Sequence, residues 1–98
     1  MSDPTDIREN EQSQAVRTAE AERLAAQAVE DFKWLMAHKQ GRRIVNQLLG
    51  DSGMFRTSFS PSGSETFFKE GQRNLGLRLF ARISETCPEQ LLPMLKGL

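Results

Sequence analysis

Few side chains here are suited to covalent or metal chemistry: one histidine, His38, and one cysteine, Cys87, in 98 residues. A transition-metal site needs three or four His, Cys or carboxylate ligands converging at fixed distances. His38 has neither a second histidine nor a cysteine near it, so it reads as a solvated or capping side chain, and no metal or cofactor is expected. As a general base it would lack a nucleophile at a defined spacing. Cys87 stands directly before Pro88 and reads as a small buried core residue, free cysteine being among the most buried residue types. With a single cysteine there is no intrachain disulfide. Phosphate-cradling and dinucleotide-binding glycine patterns, the nucleophile elbow, His-Glu-x-x-His and the calcium loop are all missing from the sequence. No catalytic residue is assigned, and enzymatic activity is not expected.

What remains is charged and aromatic surface. Arg42 and Arg43 open a short helical segment, Arg56 falls in a loop, and Arg73, Arg78 and Arg82 share a longer helix. Arg78 and Arg82 are spaced i, i+4, with Glu85 a turn further on to pair with either. These arginines read as an ordinary solvated face with intrahelical ion pairs, or as a patch for an acidic protein or for phosphates. Gly50-Asp51-Ser52-Gly53 reads as a helix cap followed by a turn rather than an anion nest. Phe55, Phe59, Phe67 and Phe68 either cover the open end of a helix pair or leave an anchor exposed, and Phe32 and Trp34 divide in the same way between core and partner. The candidate partner-binding set is therefore Phe32, Trp34, Phe55, Phe59, Arg42, Arg43, Arg73, Arg78 and Arg82.

These residues must be positioned by helices, because no period-2 strand pattern occurs and no internal repeat is present. Residues 1–14 are polar and form an N-terminal arm expected to fray or stay disordered; residues 15–98 form a single helical domain. From Ala15 to Met36 the chain is rich in alanine and free of Gly and Pro, which predicts a long helix. Ala21, Ala25, Ala28, Phe32 and Leu35 repeat at 4-3-4-3 spacing, a stripe fit to face another helix. Gly41 predicts a break, and Ile44, Val45, Leu48 and Leu49 predict a short second helix ended by Gly50. A Gly/Ser/Phe loop with apolar pegs at Met54, Phe55 and Phe59 follows. Ser62 with Glu65, or Ser64, caps a third helix from Glu65 to about Thr86, whose apolar stripe runs through Phe68, Leu75, Leu79 and Ile83. Gly76 in its buried sector predicts a close helix crossing; Gly71, nearer the edge, has no such explanation. Pro88 opens a last short helix over Glu89 to Leu95. The fold class expected is all-α.

Length allows one small core, and 38% hydrophobic residues with no tyrosine make the isolated monomer marginal, so oligomerisation is expected to contribute stability. The formal net charge of zero hides an asymmetry: residues 1–38 carry eight acids against four bases, and residues 39–98 carry nine bases against five acids. Such a dipolar chain favours self-association, with the acidic arm of one copy meeting the basic body of another, in a salt-sensitive manner. Met1-Ser2-Asp3-Pro4 has no basic and apolar leader, and no stretch approaches the roughly 18 apolar residues of a membrane span, so synthesis in the cytoplasm without export is expected.

One resemblance adds context. The ordered blocks Asp31-Phe32-Lys33-Trp34-Leu35-Met36, Gly41-Arg42-Arg43-Ile44-Val45 with Leu48-Leu49, and Gly53-Met54-Phe55-Arg56-Thr57-Ser58-Phe59 are three of six. The others are Ser64-Glu65-Thr66-Phe67-Phe68-Lys69-Glu70-Gly71, Arg73-Asn74-Leu75-Gly76-Leu77-Arg78-Leu79 and Cys87-Pro88-Glu89. Together they resemble a family of small tailed-phage proteins named after a protein of a short-tailed Bordetella phage, over about residues 31 to 92. The resemblance implies a virion-morphogenesis protein of a short-tailed phage, made in the host cytoplasm and located in the virion, and carries no enzymatic activity or cofactor with it. The partners it implies are phage structural proteins of the portal, tail or internal core, together with further copies of the chain. The leading expectation is a structural or ejection-associated part, present in several copies near the portal or head-tail junction. A DNA-binding or packaging accessory factor using the basic helical face is the alternative. A small regulator of a host enzyme would use the same aromatic anchors.

Overall fold

The structure, a computed structural model, describes residues 4–55 and 62–98. It is all-α: α1 (Pro4–Ala37), α2 (Lys39–Ser52), α3 (Gly63–Thr86), a 3-10 turn (Pro88–Gln90) and α4 (Leu91–Lys96). The chain divides into two compact units, Met1–Asp31 and Phe32–Leu98.

In the first unit α1 is already helical at Pro4, ahead of the start expected near Ala15 and inside the arm expected to fray. Proline suits the first turn, where its missing N–H has no intrahelical partner to lose, and Asp6 complements the helix dipole there. Arg8, Glu9, Glu11, Gln12 and Gln14 are straight-chain residues that lose little rotamer freedom in a helix, which is why a polar stretch still winds. Every residue described from Asp6 to Asp31 is exposed, so this segment rests on local propensity and on surface pairs such as Arg23 with Glu20.

The second unit holds the core. Phe32 and Met36 from the end of α1, Val45 and Leu49 from α2, Met54, Ile83 from α3, Cys87 and Met94 from α4 are buried, with Leu35, Leu79, Phe80 and Leu91 packed around them. Each such side chain contributes about 1.5–3 kcal/mol on burial, cysteine less.

The corner between α1 and α2 differs from expectation, since the break lies at His38 and Gly41 is the third residue of α2. His38 alone leaves the helix, with extended backbone (φ −98, ψ 136). Its N–H donates to Leu35 O at 3.3 Å, and its Nδ1–H donates to Trp34 O at 2.6 Å, so two carbonyls orphaned at the end of α1 are met by one residue. Gly41 is buried directly against this end, where a Cβ would collide with the Leu35 carbonyl oxygen. Its role is close backbone approach, not termination.

The end of α2 is also displaced, from the expected Gly50 to Gly53. Gly53 adopts the left-handed conformation (φ 72) and donates its N–H to Gly50 O, while Gly50 sits exposed inside the helix. Beyond this turn Met54 folds back into the core. Helix α3 begins at Gly63, two residues ahead of expectation, and of the two expected caps it uses Ser62, whose hydroxyl accepts from the Glu65 N–H at 3.4 Å. The close crossing expected at Gly76 is present: Gly76 is buried against Ser52, and a Cβ there would overlap the serine hydroxyl.

That crossing rotates α3 relative to the expected stripe. The buried arc centres on Gly76 and Ile83, about 60–80 degrees from Phe68 by helical spacing. Phe68 and Leu75 consequently remain exposed, at 66% and 67%. Pro88 opens the 3-10 turn as predicted, and α4 ends at Gly97 (φ 73) in a Schellman pattern: Gly97 N–H to Met94 O and Leu98 N–H to Pro93 O.

Candidate interaction surface

The nine candidate partner-binding side chains do not form one patch. Phe32 is a core residue, 5% exposed, and is unavailable to a partner because α2, α3 and α4 close over the end of α1. Arg42 is engaged inside the fold. Its Nη1–H donates to Met36 O at 2.8 Å and to Gln90 Oε1 at 3.2 Å, while Nε–H and Nη2–H donate to Leu98 O at 3.2 and 3.0 Å. It is thus a clamp joining the end of α1 to the end of α4 rather than a surface cation. Phe59, like Arg56, lies outside the described residues.

The remaining candidates are at the surface, on different faces. Trp34 is 67% exposed and lies against the His38 ring, with centroids 4.6 Å apart. Phe55 is 63% exposed just past the α2 turn. Arg43 is exposed on α2, Arg73 is half-buried, and Arg78 and Arg82 are exposed on α3. Nine residues at about 100 degrees each put Arg73 and Arg82 on opposite sides of α3. Arg78 and Arg82, one turn apart, do share a side, and the Arg82 guanidinium carbon sits 4.4 Å from the centre of the Phe32 ring. This cation–π contact fixes the position of Arg82 next to the core.

Arg78 and Arg82 belong to a groove between α2 and α3. Its apolar lining is Leu48, Leu75, Gly76 and Leu79, and its volume is about 480 Å³. The two arginines stand on the α3 wall and Asp51 on the α2 wall. The groove exists because α3 is rotated: had Phe68 and Leu75 pointed into the core, Leu75 would not line an open cleft beside Leu48. Sequence spacing set Leu48, Leu75 and Leu79 on inward-facing stripes and Asp51 in a helix cap, and gave none of them, nor Gln72, a place in an interaction surface. Gly76 was the signal that would have found them, because centring the wheel on a predicted crossing point moves Leu75 to the rim.

The one thiol is in the core. Cys87 is 1% exposed, and burial, reinforced by the Glu89 carboxylate and opposed by Lys33, pushes its pKa up. A thiol held protonated is a poor nucleophile. Among the described residues no three His, Cys, Asp or Glu side chains converge as metal ligands, and no helix is long and apolar enough to cross a membrane.

The sequence profile of the Bbp19-like phage proteins matches residues 32–96. The chain belongs to this family. Its matched segment begins at the same residue as the second compact unit, so the Bbp19-like region and the folded core are one object. The groove, the His38 corner and Arg42 with its partners Met36 and Gln90 lie within it, while Leu98 and residues 4–31 of α1 lie outside it. No curated protein and no solved structure matches the chain.

Proposed function

We propose that this Bbp19-like protein is a non-enzymatic component of the phage particle, structural or ejection-associated, that works in several copies at or near the portal or head-tail junction. The observation that carries the reading is the imbalance of its apolar surface. Among the described residues eight hydrophobic side chains are buried, whereas fifteen large ones are exposed, Leu48 and Leu75 in one groove among them. Single exposed leucines are ordinary, but a contiguous apolar cleft on so small a core is the mark of an interaction site. Repetition around an axis would cover it. The non-enzymatic part rests on how the reactive side chains are used: His38 and Arg42 meet main-chain carbonyls, and Cys87 is a buried thiol.

The alternative, a DNA-binding or packaging accessory factor, requires a continuous basic face. Arg42 is engaged internally, Arg73 faces away from Arg82 and Arg43 stands apart on α2, while Arg78 and Arg82 flank an apolar cleft, an arrangement that favours a protein ligand over a phosphate track. The test is fractionation of an infected culture. The protein should co-sediment with mature particles or assembly intermediates; recovery only in the soluble fraction overturns the proposal.

A further inference from the structure

The groove between α2 and α3 has walls of opposite charge over an apolar floor, Arg78 and Arg82 on one side and Asp51 on the other. The described α1 segment from Arg17 to Val29 offers the complementary pattern. Thr18, Ala21, Ala25 and Ala28 fall along one face by helical spacing, and all are exposed. About 80 degrees to one side of that face stands Glu22, and about 60 degrees to the other stands Arg17. Alanines suit a cleft lined by Leu48, Leu75 and Leu79, since small residues let a helix backbone come close.

We infer that the groove seats the Arg17–Val29 portion of α1 from a second copy of the chain, with Glu22 against Arg78 and Arg82 and Arg17 against Asp51. This rests on the multi-copy reading above and names the surface through which copies join. Reversing the direction of the seated helix would set Glu22 against Asp51 and Arg17 against the arginines, so the charges select one polarity. The contact is heterologous, helix of one copy into groove of the next. Each copy therefore offers both halves, and the chain of contacts either closes into a ring or runs on as a filament. The charge division along the sequence, acidic before residue 38 and basic after it, acts in the same sense and steers the encounter.

The experiment is sedimentation of the full chain with two variants, each altered only at exposed positions so that folding, checked by circular dichroism, is retained. Leu75→Glu with Arg78→Glu spoils the groove, and Ala25→Lys spoils the helix face. The wild type should associate at low salt and dissociate as salt rises. Each variant alone should lose association by at least about tenfold, as removal of central contacts does. Mixed, they should form a 1:1 heterodimer and nothing larger, because one supplies an intact helix and the other an intact groove. A mixture that stays monomeric, or a groove variant that associates like the wild type, overturns the inference; in the latter case copies still join, by another face, and the multi-copy proposal stands. If the wild type is monomeric throughout while the groove variant loses its place in particles, another virion protein occupies the groove and the second-copy assignment is wrong. Absence of the wild type from particles defeats the function proposed above, whatever the sedimentation result.

Discussion

Arg42 shows how much of this small fold one guanidinium holds. It donates to the Met36 carbonyl in the last turn of α1, to Gln90, and to the main-chain oxygen of Leu98 just beyond α4. Hydrogen bonds from a charged donor contribute about 1.5–3 kcal/mol each at most, and these share one side chain, so Arg42→Ala should cost about 2–3 kcal/mol in urea unfolding. Arg42→Lys should recover little, because an ammonium cannot reproduce the planar fork. The loss should appear first as faster amide exchange at Gly97 and Leu98; unchanged exchange there would mean the clamp is not formed. Cys87 gives a prediction of opposite character. Burial raises its pKa in the folded chain, so the unfolded thiol ionises first, at about pH 8.5. The stability this group contributes is complete below that pH and is lost as pH rises toward the folded value. The urea midpoint should fall across this alkaline window, and fall less in Cys87→Ala. A thiol reagent at neutral pH should label Cys87 only as fast as the protein unfolds. The burial of Cys87 was legible in the sequence because free cysteine is among the most buried residue types. The engagement of Arg42 was not, since its partners Gln90 and Leu98 are distant in sequence and no local spacing points to them.

At the scale of elements, glycines decide how the helices meet. Gly76 and Gly71 occupy the same helix, yet only Gly76 has atoms of another element where a Cβ would stand. Gly76→Ala should therefore lose about 1–3 kcal/mol by forcing Ser52 aside, whereas Gly71→Ala should gain up to about 1 kcal/mol of helix propensity. Equal effects at the two positions in thermal unfolding would refute the crossing. The same contrast marks what sequence could and could not supply. The Ser62 cap, the Pro88 start and the Gly76 crossing were readable because each is a local rule with a residue type attached. The corner at His38 was misplaced to Gly41, because glycine signals both helix ends and close approach, and only the position of the Leu35 carbonyl tells them apart. At the other end of α2 Gly53 ends the helix, whereas Gly50 has open space where a Cβ would stand. The stripe on α3 held at Leu79 and Ile83 but not at Phe68 and Leu75, which stay exposed, and that rotation of the helix is what opens the groove.

For the whole molecule, the two compact units draw on different sources of stability. Residues 6–31 are exposed throughout and rely on helix propensity, while Phe32–Leu98 holds the core and carries the family signature. Amide exchange in the isolated chain should accordingly be fast across residues 6–31 and slow around Leu49 and Ile83. Protection of residues 6–31 that appears on association would match a helix held by a neighbouring copy. All-α architecture and the phage family were both legible from the sequence, because helical periodicity and an ordered series of blocks survive without coordinates. The interaction surface was legible only in part, as it depends on the rotation of α3 and on which arginines the fold uses internally. The proposed role requires this protein to be a repeated part of the particle. The most direct measurement is quantitative mass spectrometry of purified virions of the phage that encodes it, before and after DNA ejection. The protein should be found in intact virions at a fixed number of copies per particle, either retained or released on ejection. Its absence from virions at both stages and from assembly intermediates would contradict the proposed role.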